Sequence, residues 1–201
     1  MKQIPIIAAL VCILTSSALA QEPQVLLDNA RVHVTRVKLG PHQKAVVPSN
    51  LESVIVYVTG PKAGKTLHSM PPARTEENAS DQPMEFVVIE LKTKAPGSAA
   101  YRFPADDPTK IDPKFHTVDF ENDRVRVLRT VLEPHIKAPM HSHPAYVVVY
   151  LTDLHTKMAF PDGTVNDNRR TKGDVAWRDA LVHSTENVED QRAAEIQVEM
   201  K

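Results

Sequence analysis

Two histidines one residue apart, His141 and His143, open the stretch His141-Ser142-His143-Pro144-Ala145-Tyr146-Val147-Val148-Val149-Tyr150. A third, His183, ends the run Gly173-Asp174-Val175-Ala176-Trp177-Arg178-Asp179-Ala180-Leu181-Val182-His183. Neutral imidazole is a strong ligand for divalent transition metals, and three rings brought to one point leave coordination positions open for water or a substrate. The residues after His143 are β-branched and aromatic, which favours an extended chain, and side chains two apart on a strand share a face. Both rings therefore look the same way. A metal site follows if that face lines the inside of a barrel and His183 enters from a neighbouring strand. One divalent ion is expected, and iron, zinc, manganese and nickel all suit such donors. A strand continuing unbroken past His143 would turn Tyr150 to the opposite face from His141 and His143.

Four further residues are candidates for the surrounding pocket. Asp153 and His155 follow the histidine strand closely enough to reach a barrel mouth, where either could add a ligand. Glu186 and Trp177 flank His183. Asp153, His155 and Glu186 are also the nearest candidates for a general base, but no spacing ties them to the histidines.

The elements that must position these residues are written twice. Residues 29–59 align without a gap on 122–152, a shift of 93, with 15 identities in 31 positions, among them Asn29/Asn122, Arg31/Arg124, His42/His135, Val56/Val149 and Tyr57/Tyr150. A second block aligns with a shift of 109 and pairs Gly64 with Gly173, Asn78 with Asn187 and Glu90 with Glu199. A period of this size is a duplicated domain rather than a solenoid unit. The difference between the shifts, 109 − 93 = 16 residues, falls in the second copy. There His155 to Phe160 predicts a strand, Pro161-Asp162-Gly163 a hairpin turn and Thr164 to Thr171 a return strand. Alternating segments such as Val125-Arg126-Val127-Leu128-Arg129 and Glu195-Ile196-Gln197-Val198-Glu199-Met200 predict an all-β fold. The segment 94–117, with Pro96, Gly97, Pro104, Pro108 and Pro113, reads as a Pro-rich linker. His135 matches His42 and is therefore assigned to the fold rather than to the site.

With 201 residues, 42% hydrophobic and 24% charged, the chain reads as soluble and globular. Its net charge of -1 and lack of a basic run argue against nucleic acid. Residues 1–20 differ in kind: Lys2, an apolar stretch from Ile4 to Leu14, then Ala18-Leu19-Ala20 read as a secretory signal peptide cleaved before Gln21. The apolar run is shorter than a membrane span needs, so no membrane association is expected after cleavage. The single cysteine, Cys12, lies in this segment and follows Val11 rather than a small residue, which argues against lipid attachment. The mature chain would be exported, to the periplasm or the extracellular space, without a disulfide.

The Pro-x-His-x-His-Pro segment entering a strand, followed by a Gly-Asp hairpin strand and a lone His with Asn187 four residues on, resembles the two metal motifs of the cupin superfamily. The resemblance implies an antiparallel jelly-roll β-barrel, duplicated here as a bicupin, with a divalent metal, a small-molecule ligand and a homodimeric assembly. It implies a degenerate domain over 21–93 and a metal-binding one over 118–201. Val147 stands where such motifs place a glutamate ligand. His135, Leu154 and Leu181 replace glycines, and Asp179 replaces a proline. In the first copy Pro48, Asn50 and Arg74 occupy the three histidine positions, so it cannot bind metal in the family manner.

Without a carboxylate ligand the charge of the ion is less quenched and its Lewis acidity greater. Three uses follow from the resemblance. The first is a three-histidine iron dioxygenase. The second is a zinc or other non-redox site for hydrolysis, hydration or isomerisation. The third is a non-catalytic module that binds a metal or small ligand.

Overall fold

The computed structural model describes residues 21–47, 50–92 and 102–201, so the expected signal peptide over 1–20 and the start of the expected linker lie outside the described residues. The first half runs β1 (Gln24–Asp28), β2 (Val32–Leu39), β3 (Lys44–Val47), β4 (Ser53–Tyr57), β5 (Thr66–Ser69), β6 (Arg74–Glu77) and β7 (Met84–Leu91). After a single-turn helix α1 (Pro108–Ile111), the second half runs β8 (His116–Glu121), β9 (Val125–Leu132), β10 (His141–His143), β11 (Tyr146–Tyr150), β12 (Leu154–Ala159), β13 (Val165–Arg170), β14 (Val175–Arg178), β15 (Leu181–Asn187) and β16 (Ala193–Met200). The all-β expectation is met. No helix among the described residues is long and apolar enough to cross a membrane.

The strands form two five-stranded sheets, ordered β1-β2-β7-β4-β5 and β14-β11-β16-β9-β8, faced by the smaller sheets β3-β6 and β10-β15-β12-β13. Strand alternation sorts the apolar residues into three cores. Val32, Val34, Val56 and Ile89 of the first half meet Val127, Val147, Val149 and Val198 of the second in one joint core. Val37, Leu39, Ile55 and Phe86 fill the first half, and Leu132, Tyr146, Val148 and Tyr150 fill the second. β4 and β11 are buried at every position because one face meets the joint core and the other meets their own half. Continuous apolar runs such as Tyr146 to Tyr150 are what two buried faces require. Each such valine contributes about 1.5–3 kcal/mol relative to exposure.

Equivalent hydrogen bonds recur at the shifts read from the sequence. Asn78 Nδ2 donates to the carbonyls of Leu39, Gly40 and Gln82, and Asn187 Nδ2 donates to those of Leu132, Glu133 and Gln191. His42 and His135 both take left-handed backbone, with φ of 57° and 58°, on exposed turns where their rings meet Asp81 and Asp190. Val32 opposes Leu91 across β2 and β7 as Val125 opposes Met200 across β9 and β16. The extra residues of the second half form the β12–β13 hairpin, closed by Gly163 at φ 86°.

Two details depart from the strand reading. The segment expected as linker over 94–117 includes α1 and the first residues of β8, both of which contact the second half. Pro144 and Ala145 also separate β10 from β11, which breaks the alternation. Tyr150 therefore packs on the inner face with Tyr146, whose ring lies 5.2 Å from that of His143, rather than opposite to the histidines. Val147, at the expected glutamate position, points into the joint core and away from the site.

Candidate metal centre

β10 presents His141 and His143 on its inner face, and β15 runs antiparallel beside it with His183 directly opposite His141. All three rings are buried. Ring centroids lie 4.8 Å apart for His141 and His143, 4.6 Å for His141 and His183, and 5.4 Å for His143 and His183. The rings of the three histidines that the sequence singled out are thus neighbours, though His183 is not in the set whose nitrogens converge most tightly. The structure adds a fourth: His116, the first residue of β8, is buried with its ring 4.9 Å from that of His141. His116, His141 and His143 each offer a nitrogen within 4.8 Å of the others. Ligands on opposite sides of one ion at 2.0–2.1 Å would lie about 4 Å apart.

Each ring is oriented through Nδ1. That atom lies 2.7 Å from the Pro139 carbonyl in His141, 2.7 Å from Glu199 Oε1 in His143, 3.2 Å from Thr185 Oγ1 in His183, and 3.4 Å from the Asp112 carbonyl in His116. A proton held on Nδ1 by an oxygen leaves the lone pair on Nε2. The Nε2 atoms of His141, His143 and His183 are buried and have no hydrogen-bond partner among the described residues. Burial, reinforced by the neighbouring rings, lowers the pKa of His183 to about 2 and of His116 to about 3 and puts His143 well below its ordinary value. Burial also lowers that of His141. All four are neutral at physiological pH, the state a metal requires.

The His143 partner belongs to a buried chain of charges. Glu199 receives the Arg126 Nε at 2.6 Å, and Arg126 reaches both carboxylate oxygens of Asp107 at 3.1 and 2.7 Å. Desolvation raises the Glu199 pKa to about 7 against the pull of Arg126. The Phe103 ring stacks on the Arg126 guanidinium at 3.4 Å, and Asp106 accepts from the Ser142 hydroxyl at 2.9 Å. The segment ahead of β8 is thereby tied to the strand that carries two of the rings.

Beside the histidines is a small cavity of about 20 Å³, lined by His116, His141, His183, Thr130, Thr156 and Glu195 among others. Glu195 accepts from Gln197 Nε2 at 2.7 Å, and burial raises its pKa. Thr130 Oγ1 and Gln197 Oε1 are buried without a partner among the described residues.

None of the four auxiliary candidates lines this cavity. Asp153 is exposed and accepts from the Lys172 backbone N–H at 2.7 Å. His155 is out of phase with the cavity-lining Leu154 and Thr156, and its ring meets Asp167 at 3.1 Å. Glu186 is likewise out of phase with Thr185 and pairs with Lys137 and Lys157 along the backbone. Trp177 packs against the joint core and donates to Asp179 Oδ1 at 2.9 Å. Of the residues at the site that sequence reasoning missed, His116 carried no signal, while Glu195 in the cavity and Glu199 behind His143 carried one. Polar side chains recur at every second position of β16, a strand whose apolar partners Ile196 and Val198 already commit the other face to burial.

No protein-family profile and no curated protein matches the chain. Solved structures do. The cupin 2 conserved barrel domain protein from Leptotrichia buccalis is similar with a TM-score of 0.56 at 12% identity, over 94% of this chain and 93% of that one. AerE from Microcystis aeruginosa is similar with a TM-score of 0.60 at 10% identity, over 91% and 99%. Salicylate 1,2-dioxygenase from Pseudaminobacter salicylatoxidans is similar with a TM-score of 0.56 at 10% identity, over 88% and 76%. At these identities the likeness is one of architecture, and with the histidine group described above it establishes that the chain has the cupin fold.

Proposed function

We propose that the second half is a divalent-metal centre, with His116, His141, His143 and His183 as the ligand set, and that a small molecule is a further ligand of the ion. The observation that carries this reading is the trio of buried, unpartnered Nε2 atoms on rings already oriented from behind. Leaving a buried polar atom unsatisfied costs about 1–3 kcal/mol, and one ion would satisfy all three. When bound, such an ion supplies Lewis-acid polarisation of an oxygen ligand. The chain's own residues fix the rings, keep them neutral and exclude bulk water. Iron, zinc, manganese and nickel remain the candidates.

Glu195 favours catalytic use of the site over passive metal holding. It is a carboxyl in the same cavity whose pKa burial raises, the setting in which a carboxyl serves as a general acid or base. The alternative is a three-histidine iron dioxygenase, supported by the absence of a carboxylate among the four rings. Substrate-dependent oxygen uptake separates the two.

Metal analysis of untagged protein tests the proposal. Wild type is expected to carry one divalent ion per chain, and His183→Ala to lose it while keeping its β-sheet circular dichroism. Wild type without metal after reconstitution, or a variant that keeps a full equivalent, would refute it. We further propose that the two halves arose by duplication, which the recurring Asn78/Asn187 and His42/His135 hydrogen bonds support. Export through residues 1–20 rests on the sequence pattern, and amino-terminal sequencing of protein from the native host should find Gln21 first.

A further inference from the structure

One pair of equivalent residues breaks the internal match at the junction of the two halves. Glu52 is a buried carboxylate held by three donors. Arg124 Nη1 lies 3.0 Å from its Oε2, while Asn122 Nδ2 and His68 Nε2 lie 2.6 and 2.8 Å from its Oε1. At the shift of 93, Arg124 corresponds to Arg31 and Asn122 to Asn29, but Glu52 corresponds to Ala145. The backbone confirms the equivalence. Leu91 N–H donates to the Glu52 carbonyl and Met200 N–H to that of Ala145, both at 2.8 Å, and Lys92 and Lys201 donate to the carbonyls of Arg31 and Arg124, again both at 2.8 Å.

Arg31 and Asn29 thus stand where their counterparts grip a carboxylate, and no carboxylate is supplied. Among the described residues the Arg31 guanidinium has no hydrogen-bond or ion-pair partner, and the Asn29 side chain is engaged only through its oxygen, which caps the Arg31 and Val32 N–H groups. The third donor is changed as well, because Trp177 replaces His68 and its N–H is taken by Asp179. Burial lowers the Arg31 pKa, with no anion to offset it. An open groove of about 680 Å³ occupies this place, lined by Arg31, Ser142, His143, Pro144, Ala145 and Met200 among others. It lies at β10 beside Ser142, His143 and Val182, and is distinct from the cavity that His141 and His183 line.

We propose that this groove binds the carboxylate of a small molecule, gripped by Arg31 and Asn29 as Arg124 and Asn122 grip Glu52. The planar guanidinium suits a carboxylate, and the groove exists because Ala145 is shorter than the glutamate of the other half. His143 reaches the groove lining as well, but the groups that grip the carboxylate are those of Arg31 and Asn29 and do not require a metal.

The experiment is a titration of ¹⁵N-labelled protein with sodium acetate, with sodium chloride at matched ionic strength as baseline, read at the backbone amides of Asn29, Arg31 and Ala145. Saturable shifts in the millimolar range are expected in wild type. They should vanish in Arg31→Gln and in Ala145→Glu, where the new side chain fills the place in cis and raises the melting temperature. Glu52→Ala should acquire a second acetate site at Arg124, with a melting temperature that acetate raises more than in wild type. The two groove variants carry the test if that protein fails to fold. Linear, unsaturable shifts, unchanged binding in Arg31→Gln or Ala145→Glu, or saturation by an acidic peptide but not by acetate would each overturn the proposal.

Discussion

His143 and Glu199 meet at 2.7 Å through Nδ1 and Oε1, with neither side chain reached by solvent. The second oxygen of Glu199 is held by Arg126, so the carboxylate cannot swing away from the ring. A buried carboxylate behind an imidazole fixes the tautomer and strengthens the opposite nitrogen as a donor.

Replacing Glu199 with Gln should therefore loosen the metal without removing a ligand. A fall of about 10–100-fold in affinity is expected, measured by competition with a chelator. An unchanged affinity would mean that His143 does not coordinate.

The fourth ring gives a second test. His116→Ala removes a nitrogen that no histidine motif in the sequence marks, yet its ring packs 4.9 Å from that of His141. Metal affinity should drop while the circular dichroism of the sheets persists, because the apolar cores do not include His116. Affinity equal to wild type would restrict the ligand set to the other three rings.

Stability of the metal-free protein should depend on pH with a definite sign. Folding depresses His183 to about 2 and His116 to about 3, whereas an unfolded histidine titrates near 6.5. Below about pH 6.5 the unfolded chain binds more protons than the folded one. Stability present above that pH is thus lost as pH falls toward the folded values, at up to about 1.4 kcal/mol per pH unit for each such ring. The urea midpoint should drop between pH 7 and 5, and less steeply in His183→Ala. Equal slopes would show that His183 is not held neutral by burial.

Asn187→Ala removes the donor to three carbonyls in a buried turn and should cost about 1–3 kcal/mol or more in denaturant unfolding. Asn78→Ala should cost a similar amount, since it makes the same three bonds in the other half. A large loss for one and none for the other would contradict the equivalence of the two turns.

The residue pattern made the all-β fold and three of the four rings legible, because alternation and repeat spacing are local or nearly local signals. What alternation alone misplaces is anything beyond a break. Pro144 and Ala145 reset the phase between β10 and β11, which sent Tyr150 inward and Val147 outward. The site residues contributed by distant strands were harder to see. His116 sits in a segment whose prolines suggested a linker, and Glu199 and Glu195 become neighbours of the rings only once β16 pairs with β9 and β11. Conversely, Asp153, His155 and Glu186 are close to the histidines in sequence but lie outside the cavity.

Anomalous diffraction at the metal edge, from crystals of protein reconstituted with one divalent ion, tests the central claim most directly. A single scatterer about 2.0–2.2 Å from the Nε2 atoms of His141, His143 and His183, with His116 closing the group, is the expected result. A scatterer elsewhere, or none with the rings left as they are, would contradict it.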